Sequence, residues 1–143
     1  MELKEEKIEF KLNSITETGF FYKNPFPGTG DFEKDEKLDL NLTVNYRWNI
    51  EKEIIGIALE FTYTKVIQDK KQELLKLALI TQFTVKELSK HLKVHNTSDF
   101  DINEVLETTL VSISISMGRG ILYEKTKGTP LNHIYFPIVD PKE

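Results

Sequence analysis

The chain has 143 residues, with 23 acidic against 19 basic side chains for a formal charge of −4, and no cysteine. That length fits one hydrophobic core rather than two, and the missing cysteines exclude disulfide staples, thiolate nucleophiles and cysteine-based zinc sites. The negative balance argues against a nucleic-acid partner, whose binding draws on Lys and Arg.

A hydrophobic fraction of 39% and a charged fraction of 29% are those of an ordinary globular protein, so a single domain over residues 1–143 is expected. The opening MELKEEKIEF carries charges where a signal peptide needs an apolar core, and no window reaches the roughly 20 apolar residues of a membrane span. The expectation is a cytoplasmic protein without membrane insertion.

The first strand is read in KIEFKLN, where Ile8, Phe10 and Leu12 alternate with polar residues. The next segment, GFFYKNPFPGTGDFEKDE, is too long for a hairpin turn. Phe20, Phe21, Tyr22, Phe26 and Phe32 sit there among Pro25, Pro27, Gly28 and Gly30. Such rings either cap one end of the core or belong to a movable flap that lines an apolar groove.

The second strand, LDLNLTVNYRWNI, is the clearest. Leu38, Leu40, Leu42, Val44, Tyr46, Trp48 and Ile50 share one face, and the residues between them are polar. A third strand follows with Ile55, Ile57, Leu59, Phe61 and Tyr63 on its apolar face, and a fourth with Leu75, Leu77, Leu79 and Phe83. QDKK, residues 68–71, reads as the tight turn between these two. The last three strands therefore form an antiparallel meander whose apolar face needs a helix or another subunit to cover it.

The covering helix is expected over residues 102 to about 122. Ser98, Asp99 and Asp101 are candidate N-caps, and Glu104 stands three residues after Asp101, as in a capping box. Ile102, Leu106, Leu110, Ile113, Met117 and Ile121 recur every three or four residues. Over residues 111–117 the alternation VSISISM fits a strand equally well, which leaves a strand as the alternative there. On another side of this helix Ser112, Ser116 and Gly120 recur every four residues, and their small side chains let a neighbour approach closely. Together with Ile113 and Met117 they suggest a surface for a second copy of the chain, the alternative being burial beneath the C-terminal segment.

Three other signals carry little chemistry. His91 and His95, with Glu87 or Asp99, have the spacing of metal ligands on a helix, but two imidazoles do not make a site and a solvated helix face explains them. PGTGD at 27–31 lacks the lysine of a phosphate loop and reads as a turn. No nucleophile elbow and no paired carboxylates stand out. The expectation is therefore no enzyme, no cofactor and no metal.

The order of these elements, and ISISMGRG followed by PLNHIYFPIVD, resemble the SecB family of export chaperones. The motif residues are Ser116, Arg119, Gly120, Pro130, Leu131, Asn132 and Pro137. The resemblance implies an α+β fold, a four-stranded antiparallel sheet packed against a long helix in the C-terminal half. It implies assembly into dimers or tetramers, and an apolar groove that holds unfolded or nascent polypeptides without ATP. Candidate groove residues are Phe20, Phe21, Phe26, Trp48, Tyr135 and Phe136. The positions matching the family's acidic translocase-docking surface are Lys23, Lys76 and Gly19, which puts docking to the SecA motor in doubt. A branch of SecB-like proteins serves antitoxins instead. A small-ligand carrier or an enzyme on a sheet-plus-helix scaffold is the alternative from another class, and it would show an enclosed site with converging polar groups.

Overall fold

The computed structural model describes residues 7–23, 38–67, 69–96 and 98–134. Four strands, β1 (Phe10–Tyr22), β2 (Leu38–Asn49), β3 (Ile54–Ile67) and β4 (Lys70–Val85), form one antiparallel sheet in the order β1-β4-β3-β2. A short helix, α1 (Leu88–His91), leads into a two-stranded ribbon of β5 (Leu92–Asn96) and β6 (Asp99–Ile102). A long helix, α2 (Glu104–Lys125), and a 3-10 turn at Pro130–His133 complete the described chain. The fold is α+β, as the sequence predicts.

The central strands carry the core. Ile55, Ile57, Leu59, Phe61 and Tyr63 of β3 and Leu75, Leu77, Leu79, Phe83 and Val85 of β4 are each no more than 2% exposed. Between them Ile67 pairs with Lys70. Asp69 takes the left-handed backbone of a tight hairpin at φ 63°, a conformation that Asp tolerates better than most residues. On β2 half-buried and exposed positions alternate along the whole strand, following its apolar and polar residues.

β1 departs from the sequence reading. It runs on to Tyr22, so Gly19–Tyr22 are strand and not part of the connecting segment. Residues 24–37, with Phe26 and Phe32, lie outside the described residues, as do Tyr135, Phe136 and Pro137. Two register shifts against β4, between Leu12 and Ser14 and between Glu17 and Gly19, each insert one residue. A bulge of this kind turns every later side chain to the opposite face. Phe10, Leu12, Ile15, Glu17, Phe20 and Tyr22 therefore all stand beside the buried residues of β4, although simple alternation would divide them.

α2 resolves the conflict at residues 111–117 in favour of helix. Its N-cap is Asn103, whose side-chain Oδ1 accepts from the Leu106 backbone N–H at 3.1 Å. Ser98, Asp99 and Asp101 are not caps, because Asp99–Ile102 pairs as a strand with β5. The side facing the sheet is also not the predicted stripe. Leu106, Leu110, Val111, Ser114, Ile115, Gly118 and Leu122 are buried, whereas Ile113, Met117 and Ile121 are half-exposed.

The small residues Ser114 and Gly118 set how closely helix and sheet meet. A Cβ at Gly118 would lie 2.4 Å from Cε2 and Cζ of Phe61. Ser114 Oγ and Thr81 Oγ1, both fully buried, are 2.6 Å apart. By length and composition α2 could cross a bilayer, contrary to the expectation from the sequence; here its inner side is the cover of the sheet's apolar face.

Candidate functional site

α2 reaches across the sheet from one edge to the other. Near its start Tyr46 Oη of β2 donates to Glu107 Oε2 at 2.9 Å. Near its end Lys125 Nζ lies 3.1 Å from Glu17 Oε2 of β1 and 5.0 Å from the centre of the Phe20 ring. Burial, and then the hydrogen bond to Glu107, hold the Tyr46 hydroxyl well above its ordinary pKa, so it remains a donor. Burial alone pushes Tyr63 up to about 12.

The predicted groove residues are not brought together. Phe20 and Phe21 lie on β1, and as neighbours in a strand they face opposite sides: Phe20 pairs with buried Leu77, Phe21 with Lys76. Trp48 lies on β2, at the far edge of the sheet. There Phe100 of β6 covers it, with ring centres 4.8 Å apart, and meets Tyr46 at 5.4 Å.

Exposed apolar side chains gather on β1: Phe10 at 39%, Ile15 at 41%, Phe20 at 38% and Phe21 at 43%, half of the large exposed apolar residues described. From the sequence Phe10 was read only as an apolar residue of the first strand and Ile15 was not singled out, because the face they share exists only through the bulges. Phe100 was hidden in a stretch read as a helix cap. Near Trp48 a shallow hollow of about 290 Å³ is lined by Arg47, Asn49, Ile54, Gly56, Ile80 and Gln82. It is open and lacks the enclosure of a small-molecule site.

The outward side of α2, opposite its buried residues, carries Val105, Thr109, Ser112, Ser116, Gly120 and Tyr123, none of them charged. Ser116 and Gly120 are exposed, with nothing within 4 Å of a Cβ at Gly120. Within the chain, the close approach of α2 is made by Ser114 and Gly118 against the sheet. Ser112, Ile113 and Met117 are half-buried.

The Pro130-Leu131-Asn132 segment is a helix stop. Leu131 is fully buried, and Asn132 Nδ2 donates to Tyr123 O at 3.0 Å and to Thr126 Oγ1 at 3.1 Å. Arg119 is half-buried on α2.

His91 ends α1 and His95 sits on β5, so the two do not share a helix face. Among the described residues no group of three His, Asp or Glu is placed to hold a metal. His95 Nε2 instead lies 2.9 Å from Asp101 Oδ2 across the ribbon. The hydrogen bond to Asp101, and then the charge of Asp99, raise the His95 pKa above its ordinary 6.5. This contribution is fully present below the unfolded pKa and is lost as pH rises through the higher folded value. A ring-proton NMR titration should give His95 a midpoint above 6.5, and Asp101→Asn should lower it.

No protein-family model matches the chain, and no curated protein matches it in sequence. Among solved structures its fold is similar to that of the SecB-like chaperone Rv1957 of Mycobacterium tuberculosis in complex with a ChAD peptide from the HigA1 antitoxin. The TM-score is 0.56 at 12% identity, covering 91% of this chain and 87% of that one. A Streptococcus agalactiae protein of unknown function matches at a TM-score of 0.40 and 13% identity, over 94% of this chain and 97% of that one. The fold is SecB-like.

Proposed function

We propose that the protein is a chaperone that holds unfolded polypeptide segments without ATP, as a homo-oligomer. The supporting observation is the stripe of exposed apolar side chains on β1 of a fold whose solved neighbour was captured with a bound peptide. An unfolded client would lay apolar side chains on these residues, removing them from water at roughly 25 cal/mol per Å². A folded client hides the same side chains and leaves, so release needs no covalent chemistry.

The client surface in this reading comprises Phe20, on the face of β1 beside α2, and Phe21, on the opposite face, with Trp48 as a second contact at the far edge; Phe26, Tyr135 and Phe136, also expected to contribute, lie outside the described residues. The uncharged outward face of α2, with Ser112, Ser116 and Gly120 flanked by Ile113 and Met117, is where another copy would pack. Repeated surfaces on an oligomer let weak contacts add along one client chain. Lys23 and Lys76 argue against an acid-guided motor partner, and Lys76 is already paired with Glu60 at 3.2 Å.

The test is suppression of aggregation of a chemically unfolded model polypeptide, run with the wild type and Phe21→Ser. Phe21 is exposed and faces away from α2, so its loss should leave the melting temperature unchanged. Wild type should suppress near stoichiometric ratios, and the variant should need several-fold more protein, as loss of about 1 kcal/mol of apolar contact implies. No suppression by the folded wild type would reject a general holdase and favour one dedicated peptide partner.

A further inference from the structure

The sheet has a second face, turned away from α2, and a glycine stands on it within a central strand. Gly56 alternates on β3 with Ile55 and Ile57, which are buried toward the helix. Gly56 and its cross-strand partners, Arg47 on β2 and Gln82 on β4, therefore stand on the opposite face. Glycine weakens a strand interior, and where it occurs there it often marks a point at which a ligand or another backbone comes close. The fold does not demand it here. Its φ lies outside the left-handed region, and a Cβ would meet Ile80 Cγ2 at 3.6 Å and Arg47 Cβ at 3.7 Å, ordinary contact distances. The missing side chain instead leaves the floor of the hollow of about 290 Å³, with Ile54 and Ile80 as apolar walls.

The rim carries donors and no acid. Arg47 is exposed and joins no ion pair among the described residues, and no Asp or Glu lines the hollow. Asn49 Oδ1 already accepts from the Lys52 backbone N–H at 3.1 Å, and Gln82 Oε1 accepts from Ser14 Oγ at 3.3 Å. Each amide thus has its oxygen engaged within the chain and its NH2 left to donate. Arg47 and Gln82 stand in one row with Gly56 between them, their backbones about 9.5 Å apart, so both side chains can close on a group seated over the glycine. One cation and two amide donors around an apolar floor suit a single carboxylate that carries an apolar group.

We propose that this hollow binds the carboxyl terminus of a polypeptide, with the α-carboxylate held by Arg47, Asn49 and Gln82 and the last, apolar side chain laid against Ile54 and Ile80. A free small acid would stay half in water, because the hollow is open. A chain end has preceding residues to lay across the same face, over the next row of Asn45, Ala58 and Thr16. The open side is then where the chain leaves. Phe21 shares this face but pairs with Lys76, six residues along β4 from Gln82 and about 20 Å away. Capture of a terminus here does not depend on the protein holding unfolded clients.

The test is an NMR titration of the folded protein that follows the Gly56 backbone amide and the Asn49 and Gln82 side-chain amides. The probes are an acetylated tetrapeptide ending in leucine with a free carboxyl terminus, the same peptide as its carboxamide, and N-acetyl-leucine. The free acid should shift these signals saturably. The carboxamide should need roughly ten-fold more peptide, as loss of charge-assisted hydrogen bonds implies, and N-acetyl-leucine should need several-fold more than the acid. Arg47→Gln should remove the difference between acid and carboxamide. Gly56→Val fills the floor with a side chain that suits a strand, so it should abolish the shifts at Asn49 and Gln82 while the melting temperature stays the same or rises. Equal binding of acid and carboxamide, or no saturable shift, would overturn the proposal, as would an acid preference that survives Arg47→Gln or unchanged binding by folded Gly56→Val. N-acetyl-leucine binding as tightly as the peptide would overturn it in favour of a small-molecule acid.

Discussion

Gly118→Ala is expected to destabilise the protein by about 2–3 kcal/mol, although the same exchange within a helix ordinarily stabilises by about 1 kcal/mol. The sign reverses because the added methyl would enter the Phe61 ring, 2.4 Å from two of its carbons. Phe61 is fully buried between β2 and β4 and has nowhere to retreat. Either the ring leaves its rotamer or α2 lifts from the sheet, which would open the contacts at Leu110, Ser114 and Leu122. A urea titration should show the loss as a lower midpoint. In a Phe61→Leu background, where the ring is absent, the same exchange should be neutral or stabilising. A penalty of equal size in both backgrounds would show that the ring is not the obstacle.

The second large effect is expected at Thr81 and Ser114. The two hydroxyls have two protons and four acceptor oxygens within reach, two carbonyls and each other. Ser114 Oγ is 2.8 Å from Leu110 O, Thr81 Oγ1 is 3.3 Å from Ile57 O, and each can accept from the other. Two arrangements use both protons and make the 2.6 Å contact a hydrogen bond: Ser114 donates to Leu110 while Thr81 donates to Ser114, or Thr81 donates to Ile57 while Ser114 donates to Thr81. Thr81→Val or Ser114→Ala alone leaves the other buried hydroxyl with its carbonyl acceptor but without the hydroxyl–hydroxyl bond, at about 0.5–1.5 kcal/mol. The double substitution removes both groups and should cost clearly less than the sum of the two. Strict additivity in the double-mutant cycle would show that the pair is not coupled.

These two sites also show where the sequence was readable. The three strands of the meander and their apolar faces follow from alternation, because β2, β3 and β4 keep one phase across most of their length. The existence of α2 follows from a stripe that outlasts the competing alternation. The side it turns to the sheet does not, because Ser114 and Gly118 are chosen for their small size and are invisible to a search for apolar spacing. The strand face of Ile15 was hidden for a related reason: inserted residues at Asn13 and Thr18 shift the phase, and no local chemistry marks either position. The ribbon was missed because its strands are short and its turn contains residues that also cap helices. Of the predicted groove residues, Trp48 was read on a strand, whereas Phe20 and Phe21 were read in the connecting segment and lie on β1; which edge and face each occupies depends on strand order.

That strand order bears on how the chain reaches its folded state. β2, β3 and β4 are joined by short turns and can assemble from neighbouring segments, whereas Phe10 must find Val85 and Tyr22 must find Leu75. Pairings so distant along the chain form late, since the loop entropy must be met before the contacts reward it. β1 should therefore be the last strand to dock and the first to leave. Its amides should exchange with solvent through openings smaller than global unfolding, while those of β3 and β4 exchange only when the whole domain opens. During synthesis β1 emerges first and waits for β4, so the most apolar edge of the molecule spends longest without its partner.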